Sequence, residues 1–289
     1  MRLQAITIGA WVPQKDFSGV VHSVFRRACN LRTKDGLITL LAGDAADAPN
    51  GIRLATPSGF DFQDHIVAGS AVGCRARIAR VAASELAIEL STGRRWSGSL
   101  VALATDVAKP RTAAAWCAAR DELARQRPMR HMPAKVARAT AILVRATRRS
   151  RATEAAGVLI SMVGCGDGLT PAGDDVIVGY LAGLWSTAGR ARRRHRFLSA
   201  LAAPVEAAAD RTTDISRAYL AQAIRGHFPA HLVTLARHIA YGAPAARVRT
   251  TTRRALAVGV SSGPAGICGL LAGMAAWAPA HAQPKGKPI

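Results

Sequence analysis

The stretch GCGDGLTPAGDDVIVGYLAGLW, residues 164–185, places glycines, a Thr-Pro step and two adjacent aspartates ahead of an apolar run. Thr170 is a good N-cap residue and Pro171 suits the first helical position, so the sequence predicts that a helix begins here. Asp174 and Asp175 would then lie in the first turn, where the helix dipole favours negative charge. The start of a helix explains the Thr-Pro step and one of the two aspartates without a ligand.

The glycines of the same stretch need a second explanation, because each adds a backbone-entropy cost to folding. Their concentration indicates unusual dihedral angles or the close approach of another group. A glycine-rich loop that leads into a helix N-terminus offers free N–H groups to an anion. The paired aspartates would repel that anion unless a metal ion or a ligand amine lies between them. Packing and ligand binding both stay open here, and the cofactor is unknown, with Mg²⁺ as one candidate.

A second stretch, GVSSGPAGICGLLAGMAAW at residues 259–277, echoes the first. Both contain Pro-Ala-Gly and then Gly-x-Leu-Ala-Gly, which predicts a turn leading into a helix whose glycines let a neighbour approach closely. Ser261 and Ser262 can also offer hydroxyl groups to a ligand. The pattern Gly-x-Ser-x-Gly matches a hydrolase nucleophile elbow, which needs an acid and a histidine later in the chain. No Asp or Glu follows Ser261, so we exclude that class.

Between these two lies RTTDISRAYLAQAIRGHF, residues 211–228. Thr212 or Thr213 can cap the next helix, with Asp214 in its first turn. The Thr-Thr-x-x-Ser cluster that ends at Ser216 can instead turn its hydroxyls toward the glycine-rich loop. Capping and ligand binding are both compatible with this segment.

The N-terminal part of the chain has a sequence pattern typical of β-strands. In residues 21–44, two apolar runs flank Asp35-Gly36, which is a strong hairpin-turn signal. Apolar and polar positions alternate over residues 74–80, and again over residues 86–90 after a turn. Several short strands at this spacing predict a small antiparallel β-barrel or sandwich.

The C-terminal part has helical periodicity, rich in Ala, Leu and Arg. At 289 residues the chain is long enough for two domains, and its hydrophobic fraction of 49% supports a full-sized core. The sequence therefore predicts an α+β protein. Its expected parts are a β-rich domain over 1–107, a mainly helical domain over 108–280 that carries the glycine-rich motif, and a disordered tail over 281–289.

Arginine dominates the charge of the chain. The formal net charge is +21, from 39 Lys and Arg against 18 Asp and Glu, with arginine runs at 145–151, 190–196 and 247–254. Such a field attracts nucleic acid, acidic proteins or small anions, although codon bias in a GC-rich genome gives a similar composition. No nucleic-acid-reading motif accompanies the runs. An arginine-rich nucleic-acid-binding protein is therefore an alternative function, and a solvated face is the simpler explanation.

The cysteines, the N-terminal segment and the apolar spans of the sequence indicate the cellular compartment. The five cysteines are scattered without a Cys-x-x-Cys pair, so the sequence predicts neither a disulfide framework nor a zinc site. The N-terminus lacks the pattern of a secretory signal. The longest uncharged span, residues 255–283, is interrupted by Ser, Gly and Pro, and its apolar part is too short for a spanning helix. We expect a cytoplasmic protein that does not associate with membranes.

The three motif stretches together resemble a known family. GCGDGLTPAGDDVIVGYLAGL, TTDISRAYLAQAIRGHF and AVGVSSGPAGICGLLAG occur in the order and spacing of a largely uncharacterised bacterial family. That family includes the AllH subunit of oxamate carbamoyltransferase, from anaerobic allantoin degradation. The resemblance is specific over about residues 158–275 and weaker over the β-rich half. Asp167 stands where the family usually has Pro, and Val260 where we expect His.

The resemblance implies participation in moving a carbamoyl group between oxalurate and phosphate, giving oxamate and carbamoyl phosphate, as one of several subunits. A non-catalytic subunit of a metabolic complex is the remaining alternative. The expected partners are a small anionic substrate and other protein subunits, with nucleic acid disfavoured. We take Asp174 and Asp175 as the candidate catalytic pair. The candidate ligand-binding residues are Gly164, Gly166, Gly168, Thr170, Gly173, Thr212, Thr213, Ser216, Ser261, Ser262 and Gly263.

Overall fold

The computed structural model describes residues 1–125 and 132–278. Within them the chain forms two compact units, Met1–Gly98 and a second that begins at Ser99. The first unit is built of β-strands and the second of α-helices, so the predicted α+β class is confirmed. The predicted tail over 281–289 lies outside the described residues.

The first unit contains a closed eight-stranded barrel, with strands in the ring order β1-β5-β4-β3-β2-β6-β7-β8 and back to β1. A short ninth strand follows β8 along the same edge of β1. The pairs are antiparallel except β4–β5, β1–β8 and β1–β9, which are parallel. The strands are β1 (Arg2–Gly9), β2 (Phe17–Phe25), β3 (Ala28–Thr33), β4 (Gly36–Leu41), β5 (Gly51–Leu54), β6 (Ala71–Arg75), β7 (Ile78–Val81), β8 (Ala87–Glu89) and β9 (Arg94–Trp96).

The barrel core follows from side chains that alternate between the two faces of each strand. Ile38 and Leu40 on β4, for example, are almost wholly buried. The predicted hairpin at Asp35-Gly36 joins β3 to β4, with Thr33 paired to Gly36. The alternation over residues 74–80 is not one strand, however. Ala76 and Arg77 have φ angles of 49° and 65° and form the turn between β6 and β7.

Helices build the second unit, and across the described residues none is both long and apolar enough to cross a bilayer. They are α1 (Pro110–Arg125), α2 (Ala134–Arg148), α3 (Ala152–Met162), α4 (Ala172–Ala188), α5 (Arg192–Ala208), α6 (Asp214–Ala223), α7 (Ala230–Ala240), α8 (Ala245–Leu256) and α9 (Ser262–Ala276). The segment before α1 hydrogen-bonds within this unit, since the Thr105 N–H donates to the Ser186 carbonyl at 2.8 Å. The domain limits of 1–107 and 108–280 stay a prediction.

Helices α4 and α9 form the centre of this unit and touch backbone to backbone. A Cβ on Gly179 would lie 2.0 Å from the Gly266 carbonyl oxygen, and one on Gly183 would lie 2.4 Å from that of Leu270. A step of four residues along α4 thus matches a step of four along α9, so the two helices run parallel. Glycines at these crossings confirm the close approach that their spacing predicts. Because the helices are parallel, their N-termini meet at one end of the pair.

Candidate functional site

The N-termini of α4 and α9 bring two hydroxyl groups together. Thr170 Oγ1 and Ser262 Oγ lie 2.7 Å apart, although 92 residues separate them in the chain. The prediction that Thr170 caps α4 is wrong, because the helix begins at Ala172 with Pro171 at the N-cap and no side-chain cap bond. Thr170 instead uses its hydroxyl for this tertiary contact. The glycine-rich stretch is therefore tied to the serine stretch at their helix starts.

Asp174 is almost completely buried and is held by donors from two other segments. Its Oδ1 accepts from the Gly164 N–H at 2.9 Å, and its Oδ2 accepts from the Thr212 hydroxyl. Burial raises the pKa of Asp174 above its usual range, and the Thr212, Gly164 and Ser216 donors lower it. The Ser216 hydroxyl is itself buried, with no hydrogen-bond partner of ordinary geometry in the described chain. Asp174 thus fastens the glycine-rich loop to the start of α6.

Asp175, the next residue, has a different environment. It is partly buried, and its Oδ2 has no hydrogen-bond partner within the described ranges. The pKa of Asp175 is raised to about 7: burial is the largest cause, the Ser262 and Thr170 hydroxyls lower the pKa, and the charge of Asp174 raises it. A carboxyl group that titrates near neutrality can both accept and donate a proton at physiological pH. Asp175 is thus the aspartate of the pair that combines a pKa near neutrality with an unpartnered oxygen.

Tyr219 belongs to the same cluster and was not among the predicted residues. Burial, together with the negative charge of Asp175, raises the pKa of its phenol to about 12. Tyr219 lies on α6 three residues after Ser216, which is one helical turn. This spacing is the signal in the sequence that could have identified it. Its hydroxyl adds a neutral donor beside the carboxylates.

The glycine-rich loop presents its backbone to solvent between Gly166 and Leu169. Gly166 and Gly168 have φ angles of 117° and 89°, which side chains rarely adopt. In the described chain, none of the N–H groups of residues 166–170 donates a hydrogen bond. These amides are the part of the site with free donors for an anion.

Other predicted residues have structural contacts. Thr213 is the N-cap of α6, where its Oγ1 accepts from the Ser216 N–H at 3.1 Å, as predicted for one of the two threonines. A Cβ on Gly173 would lie 2.1 Å from the Met162 carbonyl oxygen, and one on Gly263 would lie 2.3 Å from that of Ala255. Both glycines are therefore needed for packing. Ser261 is the N-cap of α9 without a side-chain cap bond.

Metal-ligating side chains do not cluster in this region. The described residues contain no group of three or more His, Cys, Asp or Glu side chains that could hold a metal ion. Both oxygens of Asp174 already accept hydrogen bonds from the protein. The Oδ2 atom of Asp175 is buried and has no hydrogen-bond partner in the described chain, so the binding test below includes Mg²⁺.

The raised pKa of Asp175 predicts a pH-dependent stability. The folded state favours the neutral carboxyl, so its contribution to stability is greatest below the ordinary pKa of 3.8 and is lost as the pH rises through about 7. Through this carboxyl group the wild type is expected to lose roughly 2–3 kcal/mol of unfolding free energy between about pH 5 and about pH 8. Asp175→Asn has no such group, so its stability relative to the wild type should be higher at about pH 8 than at about pH 5 by the same amount. Urea unfolding of both proteins at the two pH values measures this difference. An equal effect at both would contradict it.

Comparisons with known proteins agree with this division of the chain. The family model described as oxamate carbamoyltransferase subunit AllH matches residues 162–274. The model of the AllH family N-terminal domain matches residues 4–95. No curated protein and no solved structure matches the chain. The first match contains every candidate site residue, from Gly164 to Gly263, and the second contains nearly all of the barrel.

Proposed function

The chain belongs to the AllH family, and from that membership we propose that it is a subunit of an oxamate carbamoyltransferase-type enzyme of allantoin degradation. Its contribution is a site for a small anionic carboxylate, carbamoyl or phosphate ligand. Three segments form this site: residues 164–175, residues 212–219 and residues 261–263. One observation carries the proposal, namely that their hydroxyl groups converge on two adjacent carboxyl groups inside the matched region.

The two aspartates have different roles in this proposal. Asp174 is a positioning residue, because its oxygens are engaged by Gly164 and Thr212. Asp175 is the catalytic acid–base residue, supported by its raised pKa and its unpaired oxygen. Near pH 7 a neutral fraction of Asp175 reduces the repulsion that two carboxylates would exert on an anion. The free amides of residues 166–170 supply the attraction.

The proposed chemistry is transfer of a carbamoyl group from oxalurate to hydrogen phosphate. A phosphate oxygen attacks the carbamoyl carbon, and the bond from that carbon to the adjoining nitrogen breaks. The nitrogen leaves as the amide of oxamate, and carbamoyl phosphate is the other product. Asp175 accepts the proton of the attacking hydrogen phosphate and donates a proton to the leaving nitrogen, so the proton count balances.

Other features of the chain support the proposed compartment and the proposed partner subunits. The five cysteines are free thiols, which supports a reducing compartment such as the cytoplasm. The printed family name is that of a subunit, which supports other protein subunits as partners. Leu169 and Val260, at the rim of the site, are large apolar side chains with exposed fractions of 50% and 84%. We propose that further subunits complete the site.

A binding titration tests the proposal on the chain alone. Thermal unfolding of the purified full chain is followed with carbamoyl phosphate, phosphate, oxamate and oxalurate, each with and without Mg²⁺. A ligand at 100 times its Kd stabilises the folded state by about 2.7 kcal/mol, which is readily measured as a rise in Tm. We expect such a rise, and we expect Asp174→Ala and Asp175→Ala to remove it while keeping the fold. Unaltered ligand affinity in both variants would contradict the proposal.

A second arm supplies the remaining subunits of an oxamate carbamoyltransferase. If the site needs those subunits, the same ligands are expected to raise the Tm of the assembled complex and not that of the chain alone. Formation of carbamoyl phosphate from oxalurate and phosphate is the activity to measure. A complex that is equally active with and without this chain would contradict a role as a subunit.

A further inference from the structure

Two of the arginine runs, far apart in sequence, meet at one cavity of the helical unit. The cavity has a volume of about 410 Å³, within the roughly 300–1,000 Å³ of small-molecule sites. Arg148, at the end of α2, lines it together with Arg193 and Arg194, at the start of α5. Trp277, just after α9, completes this group, and we call the site the arginine cavity. The proposed carbamoyl-transfer site uses none of these residues.

Several contacts hold the wall of the arginine cavity that Arg194 and Trp277 form. Arg194 donates to the Thr187 carbonyl oxygen at 2.5 Å, and its guanidinium lies over the Trp277 ring, 5.2 Å from the centroid. Phe197 meets the same ring edge-on, with centroids 5.9 Å apart. These contacts hold Arg194 by packing as well as by charge. Arg148 and Arg193 are exposed, so their guanidinium groups can reach a ligand in the cavity.

The charged side chains that line this cavity are all arginines. Of the described residues that line it, none is acidic, and the other polar groups are the Ser150 hydroxyl and the Trp277 indole N–H. Guanidinium groups bind phosphate oxygens in pairs of parallel hydrogen bonds, and they remain charged at any physiological pH. The two exposed guanidinium groups of Arg148 and Arg193 at one cavity favour a phosphate group over a single carboxylate.

The arginine cavity is separate from the acidic site. Asp175 lies at the N-terminus of α4, whereas Thr187 and Trp277 lie at the C-terminal ends of α4 and α9. Because Asp175 and Thr187 are twelve residues apart on α4, the two places are about 18 Å apart at a rise of about 1.5 Å per residue. A ligand bound here cannot touch the aspartates.

We propose that the arginine cavity is a second anion site, which binds a phosphate-bearing small molecule. Arg148 and Arg193 contact the phosphate oxygens, and Arg194 and Trp277 form the wall against which the rest of the molecule lies. A bound phosphate would connect α2 and α5 through their arginines. The site is independent of the carbamoyl-transfer proposal, since it shares no residue with it.

Calorimetric titration of the full chain with inorganic phosphate and with pyrophosphate, at constant ionic strength, tests this site. We expect saturable binding with a Kd below about 1 mM. The double variant Arg148→Ala/Arg193→Ala is expected to weaken it by roughly a hundredfold, at about tenfold for each charged contact. Equal affinity for both probes would indicate recognition of one phosphate group, and tighter pyrophosphate binding would indicate a diphosphate. Either result supports the proposal.

The matched control is Arg149→Ala/Arg192→Ala, which removes the same charge from the same two runs at exposed positions outside the cavity lining. This control is expected to bind as the wild type does. Asp175→Ala is also expected to keep this binding, which separates the result from the carbamoyl-transfer site. Absence of saturable binding in the wild type, or an equal loss in both arginine double variants, would overturn the proposal.

Discussion

Replacing Asp175 by asparagine is expected to reduce the rate of carbamoyl transfer by the reconstituted complex by roughly 10²–10⁴-fold, the usual loss when a general acid–base group is removed. Asparagine keeps the size of the side chain but cannot exchange a proton. Because the pKa of Asp175 is raised to about 7, the wild-type rate should also show a pH-dependent limb near neutrality. That limb is expected to be absent from the variant. Initial rates of carbamoyl phosphate formation, measured across neutral pH, check both points.

Asp167→Asn is the charge control for this experiment. It removes one negative charge from an exposed side chain of the same loop and leaves the backbone N–H groups of residues 166–170 unchanged. Its rate and pH profile should resemble those of the wild type. Asp174→Asn should instead weaken ligand binding and stability, because its carboxylate holds Gly164 and Thr212. A wild-type rate and pH profile in Asp175→Asn would exclude it as the acid–base group.

Local patterns in the sequence are sufficient for much of this fold. The Asp35-Gly36 turn and the alternation around it predict the β3–β4 hairpin, since both depend on neighbours within a few residues. The turn at Ala76 and Arg77 could not be predicted in the same way, because neither residue is a usual choice for positive φ. Closure of the barrel by β1 with β5 and β8 depends on contacts across the whole unit.

In the candidate site, too, some features follow from neighbouring residues in the sequence and others depend on contacts between distant residues. The capping role of Thr213 was predictable from its position before α6. The same rule predicts a cap at Thr170, yet its hydroxyl bonds to Ser262, a partner that no local rule can supply. The spacing from Ser216 places Tyr219 one helical turn along α6, but its proximity to the charge of Asp175, on another helix, is not local information. The parallel packing of α4 and α9 brings the glycine-rich stretch and the serine stretch together, and the hydrogen bond from Thr212 to Asp174 joins the threonine segment to them.

Because the site depends on that packing, Gly269→Ala is expected to destabilise the protein strongly. A Cβ on Gly269 would lie 2.2 Å from the Val176 carbonyl oxygen and 2.7 Å from the Tyr180 nitrogen, both backbone atoms of α4. Backbone cannot move aside as a flexible side chain can, so α4 and α9 must separate. We expect a loss of about 3 kcal/mol or more in the free energy of unfolding, at the upper end of overpacking effects. Urea unfolding measures it.

Gly157→Ala provides the matched control, since Gly157 lies in the exposed part of α3 and a Cβ there would have no atom within 4 Å. The same chemical change should here stabilise the protein by about 0.5–1 kcal/mol, because alanine is the better helix former. Separation of α4 from α9 should also move Ser262 away from Thr170, so Gly269→Ala is expected to lose ligand binding even below its Tm. Similar stability in the two variants would contradict a backbone contact between the helices. Normal ligand binding by a destabilised Gly269→Ala would show that the site does not require their close approach.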